Sequence, residues 1–323
     1  MNELPGYSSA ISEAVYRLIP ESGYLRAQGD DRIAFFQRQT TNDINRLAPQ
    51  GVLTTILTSP AARILDVLCL LDEGETLGVI TLPYHGAATM RYLKSRIFFM
   101  DKVSLSDLSP ETLQIDLEGP KALERIQQLG FDRAPGLEEV IVTQLDGGIL
   151  RAVGQRGLTG ISCRFMLPAQ SMHFFEQKLD GIGIEKLPEA TYAVLRVEAG
   201  LPSPGAELTD EYTPLETGLD WAIADNKGCY TGQEVIARQI TFDKVTQHLV
   251  GLRLKAPALP GERISVEGKP AGVVTSAVHS PRFGEIALAI MKRPYDQPGT
   301  TVQVSGTDQP TPSAIVSKIP FID

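Results

Sequence analysis

"AGVVTSAVHSPRFGEIALAIM", residues 271–291, contains two short apolar runs separated by Ser280, Pro281 and Gly284. The runs are apolar, and the proline and glycine between them punctuate, so the stretch reads as strand, turn, strand. The same texture extends in both directions through "QHLVGLRL" (247–254), "ERISV" (262–266) and "TTVQVSG" (300–306). Short strands at near-regular spacing, broken by Pro and Gly turns, are the signature of a small β-barrel or sandwich. A boundary near residue 245 follows. Residues 245–323 are expected to form a C-terminal β-barrel, and residues 1–244 a separate body.

Upstream, the pattern alternates between two periods. "YLRAQ" (24–28) reads as a strand that turns at "GDD" into an amphipathic helix, "RIAFFQRQ" (32–39). "GVLTTILTS" (51–59) and "ARILDVLCLL" (62–71) read as a hairpin about Pro60. "TLGVITL" (76–82) is a further strand, and Pro83 opens a helix, "PYHGAATMRYLKSRIF" (83–98). The strand-turn-helix grammar returns in "TLQIDLEGPKALERIQQLG" (112–130) and in "GISCRFMLPAQSMHFFEQKL" (160–179). The expectation is a mixed α+β body built from βαβ-like halves. "PEATYAVLRVEAG" (188–200) is a helix ended by Gly200 and Pro202. Residues 201–230 then show little periodicity. A connection that long is usually functional or disordered, and Leu219 and Trp221 as anchors favour an ordered functional loop.

Composition excludes several function classes. The 323 residues are 42% hydrophobic and 21% charged, ordinary globular values. A net charge of −9 argues against wide contact with a nucleic-acid backbone, so no direct nucleic-acid partner is expected. The three cysteines, Cys69, Cys163 and Cys229, lie far apart with no CxxC. They suggest neither a disulfide framework nor a metal or cluster cradle made by this chain alone, and they fit a reducing compartment. The opening "MNELPGYSSAISEAV" shows no signal-peptide pattern, and Asp66 breaks the most apolar run, "ILDVLCLL". A soluble, cytoplasmic protein with no membrane partner is expected.

"NKGCYTGQEVIAR" (226–238) places Cys229 between Gly228 and Tyr230, ahead of a helix start. Thr231 and Glu234 have capping-box spacing, with Thr231 as the N-cap. Helix-terminal N–H groups and nearby Lys227 would then favour a thiolate, the nucleophilic form. The other reading is a small buried side chain that only packs.

The same residues carry a family resemblance. "KGCYTGQE" (227–234) resembles the signature of YgfZ-type folate-binding proteins, relatives of the glycine-cleavage T-protein. "RVEAGLPSPGAELTDEYTPLETGLDW" (196–221) and "FQRQTTNDI" (36–44) resemble segments shared by both groups, and residues 271–291 are similar to their terminal barrel strands. The resemblance implies an aminomethyltransferase-like, folate-binding body with a C-terminal β-barrel. Its implied ligand is tetrahydrofolate or a one-carbon derivative. It also implies support of iron–sulfur enzymes, including tRNA-modifying ones, and therefore iron–sulfur client or assembly proteins as partners.

Several residues acquire readings on that basis. Glu198 falls where T-proteins place the glutamate that reads the pterin. One carboxylate can accept from two parallel donors, a ring N–H and an exocyclic amine, although a solvated helix glutamate is the commoner fate. Tyr192, six residues earlier, is read as a stacking group or as a core tyrosine. Asp66 sits between apolar neighbours on both strand faces and should face a cavity, a cation or a ligand amine. T-proteins carry an aspartate pair there. Asp66 matches the first member, and Val67 replaces the second, which weakens an aminomethyl-transfer reading. Lys227 falls where T-proteins carry an arginine facing folate, and could pair with a glutamate tail or with Cys229. Arg238 reads as a surface or tail contact. Tyr230 and Gln233 read as loop supports, Asn42 and Asp43 as backbone braces. The histidines at 85, 173, 248 and 279 show no site spacing. Three functions remain in view: a tetrahydrofolate-dependent accessory protein working through Cys229 with Asp66, a T-protein-like one-carbon transferase, and a non-catalytic folate-binding module.

Overall fold

The alternating runs do form strands. A computed structural model describes residues 4–145, 148–305 and 313–321. It shows an α+β body and a closed C-terminal β-barrel. Compactness divides the chain along lines other than one cut near 245. One unit holds Met1–Thr58, Leu65–Thr191 and Ala222–Thr231, and the other Ser59–Ile64, Tyr192–Trp221 and Gly232–Asp323.

The first unit runs α1 (Tyr7–Ser12), β1 (Val15–Leu18), β2 (Tyr24–Gln28), α2 (Arg32–Gln39), β3 (Val52–Thr58) and β4 (Ile64–Asp72). It continues with β5 (Thr76–Ile80), α3 (Gly86–Ser95), β6 (Ser104–Asp107), β7 (Thr112–Glu118) and α4 (Ala122–Arg125). Then come β8 (Val140–Leu145), β9 (Gly148–Gly157), β10 (Gly160–Pro168), α5 (Met172–Gly181) and β11 (Glu185–Lys186). Among the described residues these strands make two sheets, ordered β3-β4-β5-β2-β6 and β11-β1-β7-β10-β9-β8.

The repeated grammar is real at the level of topology. In one sheet β2 pairs β5, and in the other β7 pairs β10. Both β2 and β7 lead through a left-handed glycine into a helix, Gly29 at φ 106° and Gly119 at φ 105°. A Cβ at Gly29 would stand 2.0 Å from the Lys102 carbonyl oxygen, and one at Gly119 2.3 Å from that of Glu13. Glycine is required at both places by backbone angle and by space. Within these two sheets the described strand pairs are antiparallel except β1 with β11, so each helix returns the chain to a sheet of mostly antiparallel neighbours. Short turns join β4 to β5 and β9 to β10, and such turns permit only antiparallel neighbours.

Strand alternation sorts the side chains. Leu25, Leu68, Leu70 and Val79 pack with Phe35 and Phe36 of α2. Ile115, Leu117 and Phe165 pack with Phe175 and Leu179 of α5. Tyr24, Leu71 and Ile80 point the other way and meet Val153 and Met166 of the second sheet.

In the second unit the barrel is built from β12 (Gln247–Leu254), β13 (Arg263–Val266), β14 (Lys269–Ser280), β15 (Gly284–Lys292), β16 (Thr301–Val304) and β17 (Ser313–Ser317). β12 pairs with both β15 and β17, which closes the ring and leaves no open edge. Leu252, Val274, Ala289 and Val316 fill its interior. The last turns of α6 (Glu189–Glu198) belong to this unit: Val197 packs with Ile286, Leu288 and Phe321. α7 (Gln233–Thr241) belongs to it as well. Among the described residues no helix is long and apolar enough to cross a membrane.

Candidate functional site

The residues singled out from sequence fall in two groups. Asp66, Lys227 and Cys229 lie in the first unit, Tyr192 and Glu198 in the second.

Lys227, Cys229 and Tyr230 share one loop. Cys229 is exposed, so the reading of a small buried side chain does not hold. The other two thiols differ. Burial pushes Cys69 up to about 12 and raises Cys163 well above the ordinary thiol range. Lys227 is buried. Its Nζ donates to the carbonyl oxygens of Thr40 at 2.7 Å and Asn42 at 2.5 Å, and lies 4.9 Å from the centre of the Tyr230 ring. Burial pushes this amine down to about 8, with Asp43 opposing. A neutral amine still has two hydrogens, one for each carbonyl. These bonds tie the "KGCYTGQE" loop to the "TTND" run.

The helix after the loop starts differently from the expectation. Gly232 is the N-cap, at φ 85°, and no side chain caps α7. Thr231 is held instead through its backbone: its N–H donates to the Arg38 carbonyl at 3.2 Å, and its carbonyl accepts from the Thr58 hydroxyl at 2.7 Å. Cys229 therefore precedes the cap by three residues, and the capping-box argument for its chemistry falls away. Arg238 is exposed on α7.

Asn42 and Asp43 brace backbone. Asn42 donates from Nδ2 to the Thr54 carbonyl at 2.8 Å, and Asp43 accepts from the Asn45 N–H at 3.2 Å.

Asp66 points from β4 to the face carrying Ile64 and Leu68, and is fully buried. It accepts from the Leu82 N–H at 3.0 Å and from the Thr89 hydroxyl of α3. Burial pushes this carboxyl up to about 7, and the Thr89 and Leu82 bonds and nearby His85 work against the rise. Asp66 is expected from the sequence to face a cavity, a cation or a ligand amine; the donors it meets within the chain are a hydroxyl and a backbone amide. Val67, on the opposite face, is half-buried.

Glu198, the last residue of α6, is 1% exposed, which excludes a solvated helix glutamate. Its backbone carbonyl accepts from the Phe321 N–H at 2.8 Å, and its Oε1 accepts from the Ser280 hydroxyl at 2.6 Å. Tyr192 is half-buried on the same helix, six residues earlier.

A second buried carboxylate of this unit does not stand out in the sequence. Glu207, at 0% exposure in the 201–230 segment, accepts from Arg196 Nη1 at 3.1 Å, the Ser203 N–H at 3.0 Å, and the hydroxyls of Thr275 and Ser276 at 2.6 Å each. Thr275 and Ser276 are consecutive and would point to opposite sheet faces in a regular strand. A register shift between Val274 and Ser276 turns both toward one carboxylate. The one signal for Glu207 was an acid inside the "RVEAGLPSPGAE" segment. Ser280 carried none beyond its place before Pro281.

Comparison with known proteins bears on the family and the fold. Residues 247–323 match the family described as "Glycine cleavage T-protein C-terminal barrel domain". An Arabidopsis thaliana protein named "Putative transferase At1g60990, chloroplastic" is 31% identical over 93% of this chain and 69% of its own length. An aminomethyltransferase of Nostoc sp. is 29% identical over 94% of this chain and 83% of its own. The crystal structure of glycine cleavage system aminomethyltransferase T from Bartonella henselae superposes with a TM-score of 0.87 at 22% identity, covering 99% of this chain and 89% of that one, a likeness of fold.

Proposed function

Because the chain belongs to the glycine-cleavage T-protein-like superfamily, we propose that it is a tetrahydrofolate-binding accessory protein of the YgfZ type, with Glu198 as the pterin acceptor and Cys229 as the working thiol. In this reading it supports iron–sulfur enzymes, including tRNA-modifying ones, with iron–sulfur client or assembly proteins as partners. The observation that carries the reading is the exposure of Cys229 in the "KGCYTGQE" loop, next to a buried lysine that holds the loop by two carbonyls.

The donor set fits the ligand. A reduced pterin presents a ring N–H and an exocyclic amine, and Glu198 is a buried carboxylate already held as an acceptor by Ser280. Bound folate would supply a one-carbon carrier. Tyr192 and Lys227 enter as supporting residues, Tyr192 beside the pterin and Lys227 as the brace of the thiol loop. Asp66 enters as the brace between β4 and α3.

A cellular rescue assay tests the role of the thiol. Cys229→Ser should fail to restore function while folding normally and keeping its folate affinity; full rescue by that variant defeats the reading.

Aminomethyl transfer is the second reading, favoured by the name of the Nostoc relative. Against it stand Val67, which cannot supply a second carboxylate, and the engagement of Asp66 with Thr89 and Leu82. An assay for methylene-tetrahydrofolate formation from an aminomethyl donor separates the two, since only transfer predicts turnover.

A further inference from the structure

The turn after α3 exposes three consecutive large apolar side chains. In "RYLKSRIFFMDK" (91–102), Phe98 is 65% exposed, Phe99 97% and Met100 73%. Hydrogen bonds hold the turn in that form. The Asp101 N–H donates to the Phe98 carbonyl at 2.9 Å, and the Phe98 N–H donates to Asp101 Oδ2 at 3.0 Å. Asp101 Oδ1 accepts from Arg38 Nη2 of α2 at 2.8 Å, and the Lys102 N–H donates to Asp31 Oδ2 at 2.9 Å. With both its ends tied to the first unit, the apolar tip has no slack to fold back onto the core. Arg91, Lys94 and Arg96, at the end of α3, are exposed, and none pairs with a carboxylate among the described residues. Arg96 lies over the Tyr92 ring, 4.9 Å from its centre, whereas Lys102 beyond the tip is matched by Asp30 at 3.3 Å. A helix dipole accounts for cations in a last turn. It does not account for three apolar residues held in water just beyond them.

We propose that the Phe98–Met100 turn docks this protein peripherally on an anionic lipid bilayer. The three apolar side chains enter between the headgroups, and Arg91, Lys94 and Arg96 meet the lipid phosphates. The proposal goes beyond the function proposed above and uses neither Glu198 nor Cys229. Exposed apolar patches rimmed by polar residues mark protein or membrane contacts, and aromatic rings beside Lys and Arg suit the headgroup layer. A bilayer accepts any convex apolar tip, whereas a protein partner would have to supply a pocket shaped to these three side chains. A second copy of the chain fits poorly, since self-pairing through this face would bring the α3 cations against one another. Single-stranded RNA fits poorly too, because it calls for rings along a basic groove, and Met100 has no ring to stack. The net charge of −9 argues against wide contact with an anionic surface. Fields are screened within about 8 Å at physiological salt, however, so the cations beside the tip govern the contact and most of the acids stay outside it. The composition predicts no membrane partner because it averages over the chain. The exposed turn is local.

The test is sedimentation of the full-length protein with vesicles, either of phosphatidylcholine alone or of phosphatidylcholine with one-third phosphatidylglycerol. Wild type should partition onto the mixed vesicles at least tenfold more strongly than onto the neutral ones, and added salt should weaken the binding. The pair Phe99→Ser with Met100→Ser should lose at least tenfold, and the pair Arg91→Gln with Lys94→Gln at least threefold, both with unchanged circular dichroism. A second measurement does not depend on how the serine variant folds: Phe99→Trp should be quenched by lipids brominated on the acyl chain well beyond the quenching of Trp221 in wild type. Absence of wild type from the mixed vesicles overturns the proposal. So does binding that the serine pair leaves intact, or a Trp at 99 that brominated lipid does not quench. Sedimentation velocity and titration with a single-stranded RNA cover the rival occupants. Self-association or RNA binding that the serine pair abolishes, without vesicle binding by wild type, assigns the turn to that partner and overturns the lipid reading.

Discussion

Replacing Glu207 by alanine gives the most direct check on how the second unit is held. The carboxylate is wholly buried, and its four donors come from three segments: Arg196 on α6, Ser203 in the loop, and Thr275 and Ser276 on β14. Truncation leaves the Arg196 guanidinium, with its side chain 12% exposed, without this counter-charge. Removing one member of a buried ion pair costs about 3–5 kcal/mol, mostly as the penalty on the partner left behind. The two hydroxyls soften the loss, because Arg196 Nη2 also donates to Ser276 Oγ at 2.6 Å and Thr275 can turn fully to the Leu288 carbonyl at 3.1 Å. About 3 kcal/mol is therefore expected. Urea unfolding followed by the intrinsic fluorescence of Trp221 would read it as a lower midpoint at an unchanged slope. Glu207→Gln should cost less, since an amide oxygen can still accept. The paired variant Arg196→Met with Glu207→Leu should recover much of the loss, since it leaves no unpaired charge. A cost below about 1 kcal/mol for Glu207→Ala, on a scale where ordinary surface changes stay within about 0.5 kcal/mol, would refute the reasoning.

Three further outcomes follow from buried groups. Lys227 has its folded value pushed down to about 8, so between there and the ordinary lysine range the unfolded chain holds the extra proton. The stability of wild type relative to Lys227→Met should therefore rise with pH across that window, as read by melts of both from pH 7 to 10.5; parallel curves would contradict this. Asp66 is the opposite case: its folded value is raised to about 7, so the folded state holds the extra proton and stability falls as pH rises from about 4 through 7. Asp66→Asn should gain on wild type over that range, and equal pH profiles would contradict the assignment. Under native conditions iodoacetamide should label Cys229 while Cys69 and Cys163 react only after unfolding, with mass spectrometry of peptides as the readout. Native labelling at Cys163 would contradict the packing.

The sequence and the structure part company at identifiable places. Alternation found the barrel strands from β12 to β16, because residues with one face in a closed core must alternate. It passed over β17, whose "SAIVS" lies too close to prolines at 310, 312 and 320 to register. T-x-x-E occurs twice. At Thr231 it is not a cap, because that residue's backbone is tied to Arg38 and Thr58, and Gly232 takes the turn. At Thr213 it is one: the residue is extended at φ −89° and ψ 157°, Pro214 follows, and Glu216 Oε2 accepts from the Thr213 N–H at 2.8 Å. Local spacing cannot separate the two cases, since the deciding bonds come from residues far away in the chain. The loop anchors divide likewise: Leu219 is buried, whereas Trp221 is 38% exposed. Glu198 was legible only through the motif around it. Ser280 and Glu207 became legible only once β14 and its register shift were in view.

Calorimetric titration of tetrahydrofolate into wild type and Glu198→Ala tests the central claim most directly. Wild type should bind saturably, and the variant should lose about 2–5 kcal/mol, the cost of truncating a buried charged hydrogen-bond partner. A correctly folded Glu198→Ala that binds as tightly as wild type, or a wild type that does not bind, would contradict it.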